Sequence, residues 1–168
     1  MKNSSFPIVS AILVRDGKNG MEILLQKRWK PKNSPAYLGL WEIPAGTIES
    51  FENIYVALAR EVKEETNLDV VEIVGDYHST HIDHKNGDQC FVFKPFICQQ
   101  MLKTDSGLPW IGFVFLCRVG GILQAQSNET RDPEWVQLEK LRTRINEKPG
   151  MFFSLQLPVL KYFLTTVN

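Results

Sequence analysis

Between residues 52 and 66 the chain carries Glu52, Glu61, Glu64 and Glu65 in a stretch with neither glycine nor proline. That stretch reads as one helix. At ~100° per residue, Glu61, Glu64 and Glu65 fall within roughly a 100° arc, while Leu58, Val62, Tyr55 and Ala59 occupy a separate arc centred about 120° away. Ala57 lies between the carboxylates, where its small side chain leaves room for a ligand. Arg60 and Lys63 flank the patch without entering it. Glu61 and Glu65 repel at i,i+4, which costs an isolated helix ~0.2–0.5 kcal/mol, so a compensating cation is expected. A hard divalent ion suits such a ligand set, because Mg²⁺ takes carboxylate and water oxygens and completes its shell with substrate phosphates. A plain solvated face, with Arg60 and Glu64 paired at i,i+4, explains the same residues without any ligand.

Other reactive residues point to less. His78, His81 and His84 recur every third residue but straddle a strand end and a loop, so their spacing does not converge them on one ion. Cys90, Cys98 and Cys117 are odd in number and lack C-x-x-C spacing, which indicates reduced thiols. Lys27 and Arg28 end a strand and could meet a phosphate. Trp29, Trp41, Trp110, Phe91 and Phe93 include candidates for a wall against which a nucleobase stacks, though each alone also suits a core.

The elements that must position these groups are mostly strands. Residues 7–15 and 22–28 are β-branched and Leu-rich, and Asp16-Gly17 and Asn19-Gly20 mark the hairpin turn between them. A segment rich in Pro, Gly and Trp, 31–47, is loop with a short strand at Leu40 to Ile43. The acidic helix follows, with Ser50 as its N-cap and Asn67 in the left-handed position that ends it. Strands are expected near 70–80, 90–99 and 111–118, with Asn86-Gly87 as a turn and Pro95 marking an edge or bulge. Helices are expected at 138–144 and at 155–166, where Pro158 fits only the first turn. No linker or repeat divides the chain, so residues 1–168 read as one α/β (α+β) domain.

Nineteen Lys plus Arg balance nineteen Asp plus Glu. No global field exists to hold a nucleic-acid polymer, and a phosphate-bearing ligand needs a cation or local basic residues. The apolar run Ile8 to Val14 is too short to span a membrane and reads as a strand, so a cytoplasmic protein is expected.

From Gly46 to Leu68 the chain reads Gly46, five residues, Glu52, seven residues, then Arg60-Glu61-Val62-Lys63-Glu64-Glu65-Thr66-Asn67-Leu68. This resembles the Nudix box, G-x5-E-x7-R-E-U-x-E-E-x-G-U with U aliphatic, at eight of nine specified positions. The departure is Asn67 in place of Gly, and Asn is the next most tolerant residue of left-handed backbone. Leu40 to Ala45 looks like the family's approach to the box, and Asp132 to Leu141 like its late strand and helix.

The resemblance implies an α/β/α sandwich with a mixed β-sheet and a catalytic loop-helix-loop. By position, Glu61, Glu64 and Glu65 would hold one to three Mg²⁺ ions, with Mn²⁺ as substitute and the Ala45 carbonyl as a further ligand. Arg60 would orient a carboxylate, Glu52 would assist near the helix start, and Glu129 would join the metals or act as base. The base is Glu61 or Glu129. The implied reaction is attack of water on a diphosphate linkage in a small nucleoside diphosphate derivative, such as a nucleoside triphosphate or sugar nucleotide, by a monomer or homodimer.

The substrate is not specified. The proline that sugar-nucleotide members carry about sixteen residues past the box is replaced by Asp83 and His84, and the signatures of the dinucleoside-polyphosphate and NADH-cleaving groups are missing. Three strands between 70 and 118, where many members need two, imply an inserted hairpin. An isopentenyl diphosphate isomerase would need a Cys-His context that none of the three cysteines has. A non-catalytic binding or regulatory module usually loses box carboxylates, which are all kept here.

Overall fold

The computed structural model describes residues 5–76, 80–83, 87–103 and 109–167, with side chains for all of these except 80–83. β1 (Phe6–Gly17) and β2 (Gly20–Arg28) form an antiparallel hairpin from Val14↔Ile23 to Gly17↔Gly20, closed by Gly20 at φ 105°. Beyond Val14 the two strands part, and the segment 41–47 is wedged between them. Its first part, β3 (Trp41–Glu42), pairs β2 at Gln26 and Lys27, and its last part, β4 (Ala45–Thr47), pairs β1 at Ile8 to Ser10. Pro44 sits at the crossing and lends only its carbonyl, which accepts from Ala11 N at 2.9 Å.

Parallel to β1 runs β9 (Trp110–Gly121), whose outer edge is shared by β8 (Ile97–Gln100) and β5 (Leu68–Ile73), both antiparallel to it. Outside β2 lies β10 (Thr130–Gln137), giving the mixed order β10-β2-β1-β9-β5.

Strand periodicity sorts the apolar runs onto two faces. Val9, Ala11, Leu13, Leu24, Phe115 and Cys117 face α1 (Ile54–Thr66), which contributes Ile54, Ala57, Leu58 and Val62. Ile12, Val14, Ile23, Leu25, Val114 and Leu116 face the other way. They meet Leu141 and Ile145 of α2 (Leu138–Glu147) and Val159, Leu160, Phe163 and Leu164 of α3 (Leu157–Thr166). The sheet is thus sandwiched between helices, as the box resemblance implies. Each large apolar side chain so buried contributes about 1.5–3 kcal/mol.

Several sequence expectations shift. The strand expected over 70–80 is Leu68–Ile73, and the one over 90–99 divides into β7 (Gln89–Val92) and β8, with Pro95 in the break, where no ladder donor is needed. β7 pairs instead with β6 (Thr80–Asp83) in a separate two-stranded sheet, the inserted hairpin. His78, His84 and Asn86 lie outside the described residues, as does the side chain of His81. Helix α1 begins two residues later than expected. Its N-cap is Asn53, whose Oδ1 accepts from Tyr55 N at 2.9 Å, rather than Ser50. α2 runs on to Glu147 and stops before Pro149, and Pro158 stands in the first turn of α3 as expected. Among the described residues no helix is long and apolar enough to cross a membrane.

Candidate active site

The last turn of α1 leaves carbonyls that no helical N–H can reach, and the loop 122–130 supplies their partners. Gln124 Nε2 donates to Glu64 O at 3.1 Å, Thr130 Oγ1 to Glu65 O at 3.0 Å, and Gln124 N to Thr66 O at 3.0 Å. The helix stops where Asn67 takes φ 62° and donates from its side-chain amide to Ile122 O at 3.0 Å, a bond glycine could not make. Within the loop, Ser127 Oγ accepts from Glu129 N and Thr130 N, both at 3.1 Å, and Glu129 O accepts from Trp29 N at 2.6 Å. Glu129 is thereby held across from the carboxylates of α1. A cavity of about 560 Å³ separates them, and Glu61, Glu64, Glu65, Glu129, Arg60 and Lys30 all line it.

On one side stands Arg60. Its Nε and Nη2 each donate to the Glu52 carboxylate at 2.9 Å, Nη2 also to Thr47 O at 3.0 Å, and Nη1 to Glu61 Oε1 at 2.6 Å. Glu52 in turn accepts from Glu49 N at 2.9 Å. The guanidinium fork and that amide hold the Glu52 carboxyl down at about 2. Burial pushes the Glu61 carboxyl above its ordinary value, although Arg60 opposes the shift. Glu61 lies against the backbone of Gly46: a Cβ placed there would be 1.9 Å from the Glu61 carboxyl carbon. The glycine that opens the box is required by this contact.

On the other side Glu65 departs from the sequence reading. It is buried at 4% exposure, on the core side of the helix, where Oε2 accepts from Gln26 Nε2 at 2.5 Å and from Ala45 N at 3.3 Å. Burial pushes its carboxyl up to about 8. The patch is not free of cations. Lys30 Nζ lies 3.5 Å from Glu65 Oε1 and is ion-paired with Glu129. Burial works against this ammonium, but Glu65 and Glu129 outweigh it and hold its pKa above the ordinary lysine value. Behind Glu65 is Glu42, also buried, bound through Oε2 by Arg28 Nη1 at 2.9 Å and raised in pKa by burial. Ala57 and Ala59 exchange the places expected of them: Ala57 is buried in the core and Ala59 is exposed. The helical wheel does not show which arc the wedge 41–47 will cover.

The donor set suits a hard divalent cation. It is all oxygen, the Glu65 and Glu42 Oε1 atoms are buried without hydrogen-bond donors, and Gly46 leaves the Glu61 carboxylate room to lie flat against the backbone. As the side chains stand, no three acidic, His or Cys groups among the described residues converge on one point; Arg60 is paired with Glu52, Glu61 and Glu64, and Lys30 with Glu65 and Glu129.

Of the other candidates, Lys27 is paired with Asp132 at 3.0 Å, Arg28 with Glu42, and Trp41 is buried in the core. Phe91 and Phe93 pack with Tyr55, Phe113 and Phe115 in an aromatic cluster beneath the hairpin. Trp29 is 40% exposed and lines a second cavity of about 280 Å³, which shares Lys30, Asn33, Asn128 and Glu129 with the first.

Comparison with known proteins agrees with this geometry. The NUDIX domain profile matches residues 5–155. The chain belongs to the NUDIX family. Members are generally pyrophosphohydrolases acting on nucleoside diphosphate derivatives and generally use a divalent metal. A putative nudix hydrolase 1 of Caenorhabditis elegans is 28% identical over 87% of this chain and 33% of its own length. The CTP pyrophosphohydrolase of Escherichia coli (strain K12) is 40% identical over 44% of this chain and 48% of its own. The chain thus spans about a third of the worm relative and half of the bacterial one. Among solved structures, the MutT protein of Methanosarcina mazei Go1 superposes with TM-score 0.62 at 21% identity, covering 97% of this chain and 95% of that one. The NUDIX domain of Shewanella oneidensis NrtR, crystallised with ADP ribose, gives 0.61 at 16% identity over 98% and 90%.

Proposed function

We propose that residues 1–168 act as one Nudix hydrolase domain that cleaves a diphosphate linkage in a nucleoside diphosphate derivative, with Mg²⁺ as cofactor and Mn²⁺ as substitute. The observation that carries this reading is the complete carboxylate set of Glu61, Glu64 and Glu65 on one cavity wall, with Glu129 on the facing loop. Glu61, Glu64 and Glu65 would hold the cation, with the Ala45 carbonyl as a further ligand. The bound cation would make a water molecule acidic enough to attack phosphorus and would offset phosphate charge.

The chain's own residues do the rest. Arg60 fixes the Glu61 carboxylate, and Glu52 fixes Arg60 from behind. Glu61, which lines the cavity and is held in place by Arg60, is the first candidate to take the proton of the attacking water. Glu129, on the facing loop, is the second candidate. The nucleoside portion has the second cavity available, with the exposed face of Trp29 on its wall.

The test is chromatographic separation of the products formed with Mg²⁺ from nucleoside triphosphates, sugar nucleotides and dinucleotides, repeated in ¹⁸O-labelled water. Turnover of at least one class, with label in one of the two phosphate-bearing products, is expected. Inert diphosphates alongside good phosphomonoester hydrolysis would sink the reading. Ligand binding with no turnover of any class would leave a non-catalytic module, consistent with Lys30 standing where a cation would be needed.

A further inference from the structure

Lys30 lies outside the box and carries no role so far, yet it is among the least exposed charged side chains of the cavity, its side chain at 14% exposure. Its backbone is fixed by a turn in which Lys30 O accepts from Ser34 N at 2.9 Å and Asn33 N at 3.2 Å. The side chain then reaches between two elements that the fold brings together: Glu65 on α1 and Glu129 on the loop that satisfies the end of α1. A divalent cation held by Glu65 would compete for the same carboxylate oxygen, Oε1, which has no hydrogen-bond donor of its own.

We propose that Lys30 is the resident counter-ion of this cluster: it holds Glu65 and Glu129 together in the cation-free protein, yields them to the entering divalent ion, and then binds the diphosphate of the ligand. Three features of lysine allow the exchange. Its charge is a single compact point with rotatable donors, its stem is long and flexible, and it has no planar fork that would fix it to one carboxylate. The displaced ammonium stays beside ligand phosphates, because Lys30 lines both cavities. Lys30 is thus a positioning residue while the site is cation-free and a phosphate contact once it is loaded.

This inference rests on the hydrolase reading for its second half only, and the experiment separates the two. Binding of Mn²⁺ alone is measured on the whole protein and on Lys30→Met, Lys30→Gln and Lys30→Arg, with Lys140→Met on α2 as a control for net charge. Binding of methylenediphosphonate, whose P–C–P bridge cannot be hydrolysed, to the Mn²⁺-loaded proteins follows. Removing a competing positive charge should tighten Mn²⁺ about tenfold in the Met and Gln variants and leave the Arg and Lys140 variants within about threefold. Diphosphonate binding should weaken about tenfold in Met and Gln and be rescued in Arg. Unchanged or weaker Mn²⁺ binding in both Met and Gln overturns the counter-ion role. Unchanged diphosphonate binding overturns the phosphate contact. If no nucleoside diphosphate derivative is turned over while the Mn²⁺ result holds, the hydrolase reading fails and the counter-ion role stands.

Discussion

Arg60 and Lys30 stand on two sides of one cavity, and one carboxylate beside each, Glu52 by Arg60 and Glu65 by Lys30, ends in the opposite state. Arg60 offers a planar fork bonded to Glu52, Glu61 and the Thr47 carbonyl, and the Glu52 carboxyl falls to about 2. Lys30 offers one point charge in a buried place, and the Glu65 carboxyl stays up at about 8. Pairing with a cation does not by itself decide the state of a carboxylate. What decides it is how many donors converge against how much water has been removed. The Arg60 side is a scaffold fixed by several converging hydrogen bonds, whereas the Lys30 side is held by one point charge, which the counter-ion proposal makes replaceable.

The largest effect should come from Glu65→Gln, which removes a proposed cation ligand and should lower turnover at least ~100-fold in a steady-state assay. Its stability should change in the opposite sense. Because the folded-state pKa of Glu65 is raised, the stability its protonated form contributes is complete below pH ~4.5 and is lost as pH rises to about 8. In metal-free melting curves the Gln variant should gain on the parent protein across that window and run parallel above it. A parallel profile throughout would place Glu65 outside the buried cluster.

Gly46→Ala probes the contact that seats Glu61 on the Arg60 side. The new Cβ must displace the Glu61 carboxylate, so a ~10–100-fold loss of turnover is expected together with about 1–3 kcal/mol of stability in denaturant unfolding. Unaltered kinetics would show that Glu61 does not need its place against the backbone.

Arg60→Lys tests the scaffold side. It should lower the melting temperature by about 2–4 °C near neutral pH. Here the pKa is depressed, so the stability is present above pH ~4.5 and lost as pH falls toward about 2, and the difference from the parent should close over that range. Asn67→Gly should move stability by less than ~1 kcal/mol, since relief of left-handed backbone strain offsets the lost bond to Ile122 O.

The box was legible in the sequence because its geometry is local. Helical spacing brings Glu61, Glu64 and Glu65 to one sector of the helix whatever the rest of the chain does, and Asn67 marks the stop through its own backbone preference. Lys30, Gln26 and Glu42 were not legible, because they come to Glu65 from β2, the turn after it and the wedge, all distant from α1 in the chain. Gln26 and Glu65 are 39 residues apart in the chain. One signal was available for Glu42: a carboxylate between Trp41 and Ile43, in a run otherwise suited to the core, must have a partner. The mistaken exposure of Glu65 and the exchanged roles of Ala57 and Ala59 have the same origin. The extra hairpin was legible as a surplus strand, but not its pairing as a sheet of its own.

The most direct measurement is anomalous diffraction at the manganese edge from crystals of the whole protein soaked in Mn²⁺. Manganese density bounded by Glu61, Glu64 and Glu65 is the expected result, with the Arg60 fork still on Glu52 and Lys30 moved off Glu65. Density confined to other residues, or no density while Lys30 keeps its place between Glu65 and Glu129, would contradict the assignment of this cavity as a cation-dependent hydrolase site.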